Sequence, residues 1–109
     1  MDIYTIYADH TLDTNAKTFA IRMKKFLDKM VDLGRIESYR LSRMKLGFRS
    51  MNMPEFRIDM HFQNMQQLDD AMSSVISNEE NIEDEHVGFN HLVDVNTIQH
   101  FLYRDYPDE

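Results

Sequence analysis

The stretch Glu55–Phe62, EFRIDMHF, alternates strictly between apolar and polar side chains after its first residue. Phe56, Ile58, Met60 and Phe62 fall on one side, and Arg57, Asp59 and His61 on the other. A period of two is the pattern of a strand with one buried face. Pro54 leads into it and Asn64 follows it, so turn-forming residues stand near both ends. Such a strand needs a cover for its apolar side. Its polar side needs water or a partner.

Upstream lies GFRSMNMP, residues 47–54, a loop whose Phe48, Met51 and Met53 are too apolar to meet only water. These side chains read as packing on the domain or on a second subunit, with a lid over a pocket as the sharper alternative. Farther upstream, Ile36–Leu46 reads as a longer strand with blurred alternation, and its basic side chains suit a sheet edge, where charge discourages stray pairing. Residues 2–9 form the first strand, with Tyr4, Ile6 and Ala8 on one face and Ile3, Thr5 and Tyr7 on the other. Neither face is clearly polar, which places this strand inside the sheet.

Two helices complete the pattern. Asp13 or Thr14 can cap the first, which runs to about Leu33. Its apolar residues Ala16, Phe19, Ala20, Met23, Phe26, Leu27, Met30 and Leu33 recur at three and four, forming one broad face opposite Lys17, Arg22, Lys24 and Lys25. Gly34 is the expected left-handed stop. Asn64 and Gln67 have the spacing of a capping box for a second helix over residues 65–77, with Met65, Leu68, Met72, Val75 and Ile76 as its core side. The acidic run NEENIEDE, residues 78–85, reads as solvated surface. Residues 86–97 read as irregular, with a short extended piece at His91–Val95. The last strand is Ile98–Arg104.

The order strand, helix, strand, strand, helix, strand predicts one α+β domain over residues 1–109. Its fold class is the ferredoxin-like βαββαβ plait, a four-stranded antiparallel sheet with two helices on one face. The opposite face would carry Ile3, Tyr7, Arg57, Asp59 and His61. This mixture of apolar, aromatic and charged groups suits an interface better than open water. A twofold homodimer with sheets packed face to face is therefore expected. Arg57 and Asp59 would need partners in that seam, since a buried lone charge is costly.

The segments DLGRIESYRLSRMKLG (residues 32–47), EFRIDMHFQNMQQLDDAM (55–72) and LYRDYPD (102–108) resemble a small bacterial group of unknown function within the dimeric α+β barrel superfamily. That resemblance implies ferredoxin-like subunits whose sheets close into a shared barrel, with ligand sites between helices and sheet. The superfamily includes monooxygenases, isomerases, haem enzymes and non-catalytic members, so it implies architecture and not chemistry. No catalytic motif of the superfamily matches residue by residue.

Composition narrows the rest. A formal charge of −7 disfavours nucleic acid and anionic membrane surfaces as partners. The absence of cysteine excludes disulfides, thiolate metal sites and a cysteine nucleophile. No apolar run approaches the roughly 20 residues of a membrane span. The N-terminus reads as a strand without a basic leader, so a cytoplasmic protein is expected. Five histidines invite a metal or acid–base reading, but HVGFNH, residues 86–91, matches no ligand motif. Neither a metal nor a cofactor is expected. His61 with Asp59, two apart on one strand face, is the best acid–base pair in the sequence, set against an interface ion network.

Nine methionines against no tryptophan remain. Met23 and Met30 are seven apart on the first helix, Met65 and Met72 repeat that spacing on the second, and Met60 lies on the apolar strand face between them. Methionine often only fills gaps in a core. The alternative is an adaptable pocket for a small apolar or amphipathic ligand such as a fatty acyl chain. Met23, Phe26, Met30, Met60 and Met72 would line it, with Tyr39, Arg43, His86 and His91 as candidates for the polar head. Two functions follow: a homodimeric ligand-binding protein, or a small cofactor-independent enzyme, oxygenase- or isomerase-like, acting on a hydrophobic substrate with a histidine base.

Overall fold

The alternation of EFRIDMHF is realised in full: Phe56, Ile58, Met60 and Phe62 are all buried on one face of a strand. The structure, a computed structural model, describes residues 1–46, 52–76 and 91–107. Along these residues the chain forms β1 (Asp2–His10), α1 (Ala16–Asp32), β2 (Ser38–Arg43), β3 (Phe56–Phe62), α2 (Met65–Ile76) and β4 (Val93–Arg104). The strands make one four-stranded antiparallel sheet in the order β2-β3-β1-β4. This is the ferredoxin-like α+β arrangement, with β1 central and the basic β2 at an edge. Residues 47–51 of the apolar loop, the whole acidic run 78–85 with its flanks, and His86 lie outside the described residues.

The helix α1 is capped one or two residues later than expected. Asn15, not Asp13 or Thr14, is its N-cap, and its Oδ1 accepts from Thr18 N at 2.9 Å. Its end follows the sequence signal. Gly34 has φ +71°, Gly34 N donates to Val31 O at 2.9 Å, and Arg35 N to Met30 O at 2.9 Å. These two bonds close a left-handed C-terminal cap that satisfies the last carbonyls. Between the caps, Phe19, Met23, Phe26, Leu27 and Met30 are buried together with the apolar face of β3. Each such burial stabilises the fold by about 1.5–3 kcal/mol before entropy, as an upper bound.

The helix α2 turns differently from its apolar pattern. Ala71 and Ser74 are buried, while Met65 and Met72 are exposed and Leu68 and Val75 half-buried; the Ile76 side chain lies outside the described residues. The Ser74 hydroxyl donates back to Ala71 O at 2.8 Å, so a polar group is buried without loss of a partner. The capping box forms with a shift: Gln67 N donates to Asn64 Oδ1 at 2.9 Å, but the Gln67 side chain accepts from Gln63 N.

Two strands also depart from expectation. β2 is shorter than Ile36–Leu46: Ile36 is buried ahead of it, and Leu46 is exposed beyond it. β4 is longer, because the extended piece near residue 93 and the final strand are one element. A register irregularity joins them, between the pairs Tyr7↔Gln99 and Asp9↔Asp94. Polar residues that read as loop hold this bulge: Thr97 Oγ1 accepts from Asp9 N at 2.9 Å and donates to Asp94 O at 2.7 Å.

At the far end of the same strand pair, Asp2 faces Arg104. Its Oδ1 accepts from Arg104 Nε at 2.6 Å and its Oδ2 from Arg104 Nη2 at 3.3 Å. The Arg104 hydrogen bond, opposed by burial and assisted by the arginine and N-terminal charges, holds the Asp2 carboxyl below its ordinary 3.8. A carboxyl depressed in the folded state adds stability above its unfolded pKa, and that stability is lost as pH falls through the folded value. Asp2→Asn should therefore melt below the wild type at neutral pH, and the gap should close in thermal melts as pH drops below 3.8.

Candidate functional site

Between the helices and the sheet lies a cavity of ≈ 370 Å³. β1 contributes Tyr4, Ile6 and Ala8, and β3 contributes Ile58, Met60 and Phe62. α1 supplies Met23, Phe26, Leu27 and Met30; α2 supplies Ala71, Met72 and Val75; β4 closes the wall with Val93, Ile98 and His100. Strand alternation explains the choice: Tyr4↔Met60 and Ile6↔Ile58 are directly opposed pairs, so their side chains share one face. Ile6 also opposes His100 on the other neighbour, which brings that histidine to the same face.

Among the described lining residues only Tyr4 and His100 carry side-chain nitrogen or oxygen. They are paired with each other. The Tyr4 hydroxyl and His100 Nδ1 are 2.9 Å apart, and the two rings meet edge to face with centroids 5.9 Å apart. Tyr4 is half-buried, and that burial pushes its phenol above 10.0, so the hydroxyl keeps its proton throughout the neutral range. The result is an apolar chamber with one hydrogen-bonded polar pair among its described lining residues.

The sequence-derived candidates divide. Met23, Phe26, Met30, Met60 and Met72 come together in the cavity wall. Tyr39 and Arg43 do not: Tyr39 donates its hydroxyl to Asp28 Oδ1 at 2.5 Å, and Arg43 pairs with Glu55 at 2.5 Å and lies over the Phe56 ring. Burial, with the Asp28 bond and charge behind it, pushes Tyr39 up to about 12. His91 is exposed in the turn before β4 and is absent from the wall. Met65, exposed at the start of α2, is also outside the wall.

Sequence reasoning missed Tyr4 and His100 as a pair. Alternation within IQHFLYR puts His100 beside Ile98 and Leu102, which was legible. That this face meets Tyr4 across 96 positions depends on the β1–β4 register.

The other face of the sheet carries Ile3, Tyr7, Arg57, Asp59 and His61, opposed in the register pairs Ile3↔His61, Thr5↔Asp59 and Tyr7↔Arg57. Thr5 is 0% and Asp59 8% exposed even though they lie on the face opposite α1 and α2. The Thr5 hydroxyl donates to Asp59 Oδ1 at 2.6 Å, Arg57 Nε approaches Asp59 Oδ2 at 3.0 Å, and the Arg57 guanidinium lies 5.8 Å from the Tyr7 ring centre. His61 pairs instead with the Ser38 hydroxyl at 2.8 Å. The His61–Asp59 acid–base pair suggested by sequence thus has its members engaged elsewhere. Tyr7 stacks edge-on with Phe101, and Phe101 adjoins Tyr103, leaving these two β4 rings 46% and 50% exposed.

No group of three or more His, Cys, Asp or Glu that could hold a metal occurs among the described residues, and no helix among them is long and apolar enough to cross a membrane.

A family model described as "Family of unknown function (DUF6614)" matches residues 1–109. No curated protein matches the sequence. Among solved structures, the Arabidopsis thaliana protein At3g17210 is similar in fold. Its crystal structure matches with a TM-score of 0.77 at 7% identity, covering 100% of this chain and 99% of that one. Its solution structure matches with a TM-score of 0.66 at 10% identity, covering 99% and 90%. A Deinococcus radiodurans protein described as a candidate antibiotic biosynthesis monooxygenase matches with a TM-score of 0.52 at 16% identity, covering 100% and 96%. At these identities the likeness shows the fold alone.

The burial of Tyr4 has a direct readout. In an alkaline spectrophotometric titration, Tyr4→Phe should remove phenolate absorbance that develops above pH 10.0. A loss confined to lower pH would contradict the buried, protonated hydroxyl.

Proposed function

The chain belongs to DUF6614, a family of unknown function, and within it we propose that this protein is a homodimer binding a small apolar or amphipathic ligand in the cavity of each subunit. The observation that carries the reading is the ≈ 370 Å³ chamber with a single polar pair in its described wall. Small-molecule sites are typically about 300–1,000 Å³, apolar, with a few placed polar groups. The methionine side chains at the wall suit a ligand that bends, because an unbranched thioether repacks at little cost. A fatty acyl chain is one body that fits this description.

The dimer reading rests on the uncovered sheet face. Aromatic residues and arginine are the types enriched at interface cores, and Tyr7, Phe101, Tyr103 and Arg57 share this face. A buried seam there would also keep the Arg57–Asp59 pair together, which satisfies both charges.

A second reading, a small cofactor-independent enzyme, is favoured by the hydrogen bond between His100 and Tyr4, since a histidine oriented by a neighbour can act as acid or base. The oxygenase description of one fold neighbour is compatible with it. That reading requires turnover which disappears in His100→Asn, whereas simple binding does not.

Filling variants test the cavity. Met60→Phe and Met72→Trp should abolish the fluorescence enhancement of the neutral dye prodan while leaving the melting temperature nearly unchanged. In a filled core the same changes would overpack and cost about 1–3 kcal/mol. Loss of stability in both variants, with no dye bound by the wild type, would eliminate the pocket. Sedimentation tests the assembly: a dimer at micromolar concentration is expected, and Tyr7→Glu should weaken it more than Asp69→Lys on the outer side of α2. A wild-type monomer sinks the barrel arrangement.

A further inference from the structure

We propose that the Tyr4–His100 pair reads the ligand's head group, and that it selects an uncharged hydroxyl over a carboxylate. The inference rests on the cavity being the binding site. It follows from a count of donors and acceptors. A tyrosine hydroxyl offers one donor and accepts, and a neutral imidazole offers one donor and one acceptor. The 2.9 Å bond between the Tyr4 hydroxyl and His100 Nδ1 uses one donor and one acceptor. Whichever way the shared proton lies, the pair keeps one donor and one acceptor for a ligand.

A hydroxyl complements that remainder, since it too donates once and accepts. A carboxylate does not. It is acceptor-only, so one of its oxygens would face the pair's remaining lone pair. Its charge would also enter an apolar wall with no lysine or arginine among the described lining residues. His100 is exposed and Tyr4 half-buried, so the pair stands at the rim of the cavity, and even partial desolvation of an anion there has no cation among those residues to offset it. The raised phenol of Tyr4 keeps the pair neutral on the tyrosine side, so no phenolate disturbs the count in the neutral range. The rest of the wall, with Met23, Met60 and Met72, is indifferent to the head group and takes the chain.

Three probes of nearly equal size separate the possibilities: octanol, which donates and accepts; heptyl methyl ether, which only accepts; and octanoate, which is charged. Each competes with prodan on the full-length protein near pH ~8, where an ordinary histidine is neutral. Octanol should bind about tenfold tighter than the ether, the worth of roughly one hydrogen bond, and octanoate should bind weakest. In the double variant Tyr4→Phe, His100→Leu the advantage of octanol over the ether should vanish. If that variant does not fold, the wild-type order alone decides. Ether or octanoate binding as well as octanol, with dye binding still abolished by Met60→Phe, overturns the head-group assignment and leaves the cavity reading standing. No displacement by any probe, with no dye bound, overturns both.

Discussion

The register of β1 against its two neighbours is the constraint on which the rest of the structure depends. Tyr4 opposes Met60 on β3 and Leu102 on β4, and Ile6 opposes Ile58 and His100. Directly opposed residues share a face, so these pairings assign side chains to the helix-covered side or the uncovered side in one step. A slip of one residue would exchange the two sets, moving Ile58 and Met60 into water and Arg57 and Asp59 under the helices. The cost of burying those charges without partners keeps the register single-valued.

The same constraint creates the cavity. α1 brings large side chains to the sheet, but β1 ends its apolar row with Ala8, and α2 presents Ala71 and Ser74 at its buried face. Small residues there leave space that the large residues of α1 do not fill. Tyr4 and His100 enter because the pleat carries them to the same face as Ile6 and Ile98, with His100 at the exposed rim. Each satisfies the other, which removes the main penalty for polar atoms in an apolar wall.

The uncovered face has its own logic. Thr5 and Asp59 are buried on the face opposite α1 and α2, and their bond of 2.6 Å sits next to the Arg57–Asp59 contact. Tyr7 links this polar half to an aromatic half made with Phe101 and Tyr103 through ring contacts of 6.3 Å. Charges and rings are thus ordered within the single chain. A surface preorganised in this way has less entropy to lose on association.

Sequence by itself determined the elements and their order. The alternation of EFRIDMHF, the three-and-four spacing of α1 and the stop at Gly34 are local consequences of backbone period and of glycine's freedom at positive φ. With the order of elements they specify the ferredoxin-like sheet, its central β1 and its two differing faces. They also bring Met23, Phe26, Met30, Met60 and Met72 to a common region, because each lies on an apolar stripe that must point at the sheet. Tertiary structure alone decided the rest. Whether that region is filled or hollow depends on side-chain volumes summed across three layers. The bulge that merges two segments into β4 depends on Thr97 finding Asp9 from 88 positions away. Tyr39 and Arg43 have local apolar and polar neighbours consistent with a site, yet Asp28 and Glu55 hold them elsewhere. Tyr4 and His100 become a pair only through a register between the first strand and the last, and sequence periodicity carries the face of a residue but not the identity of the one opposite it.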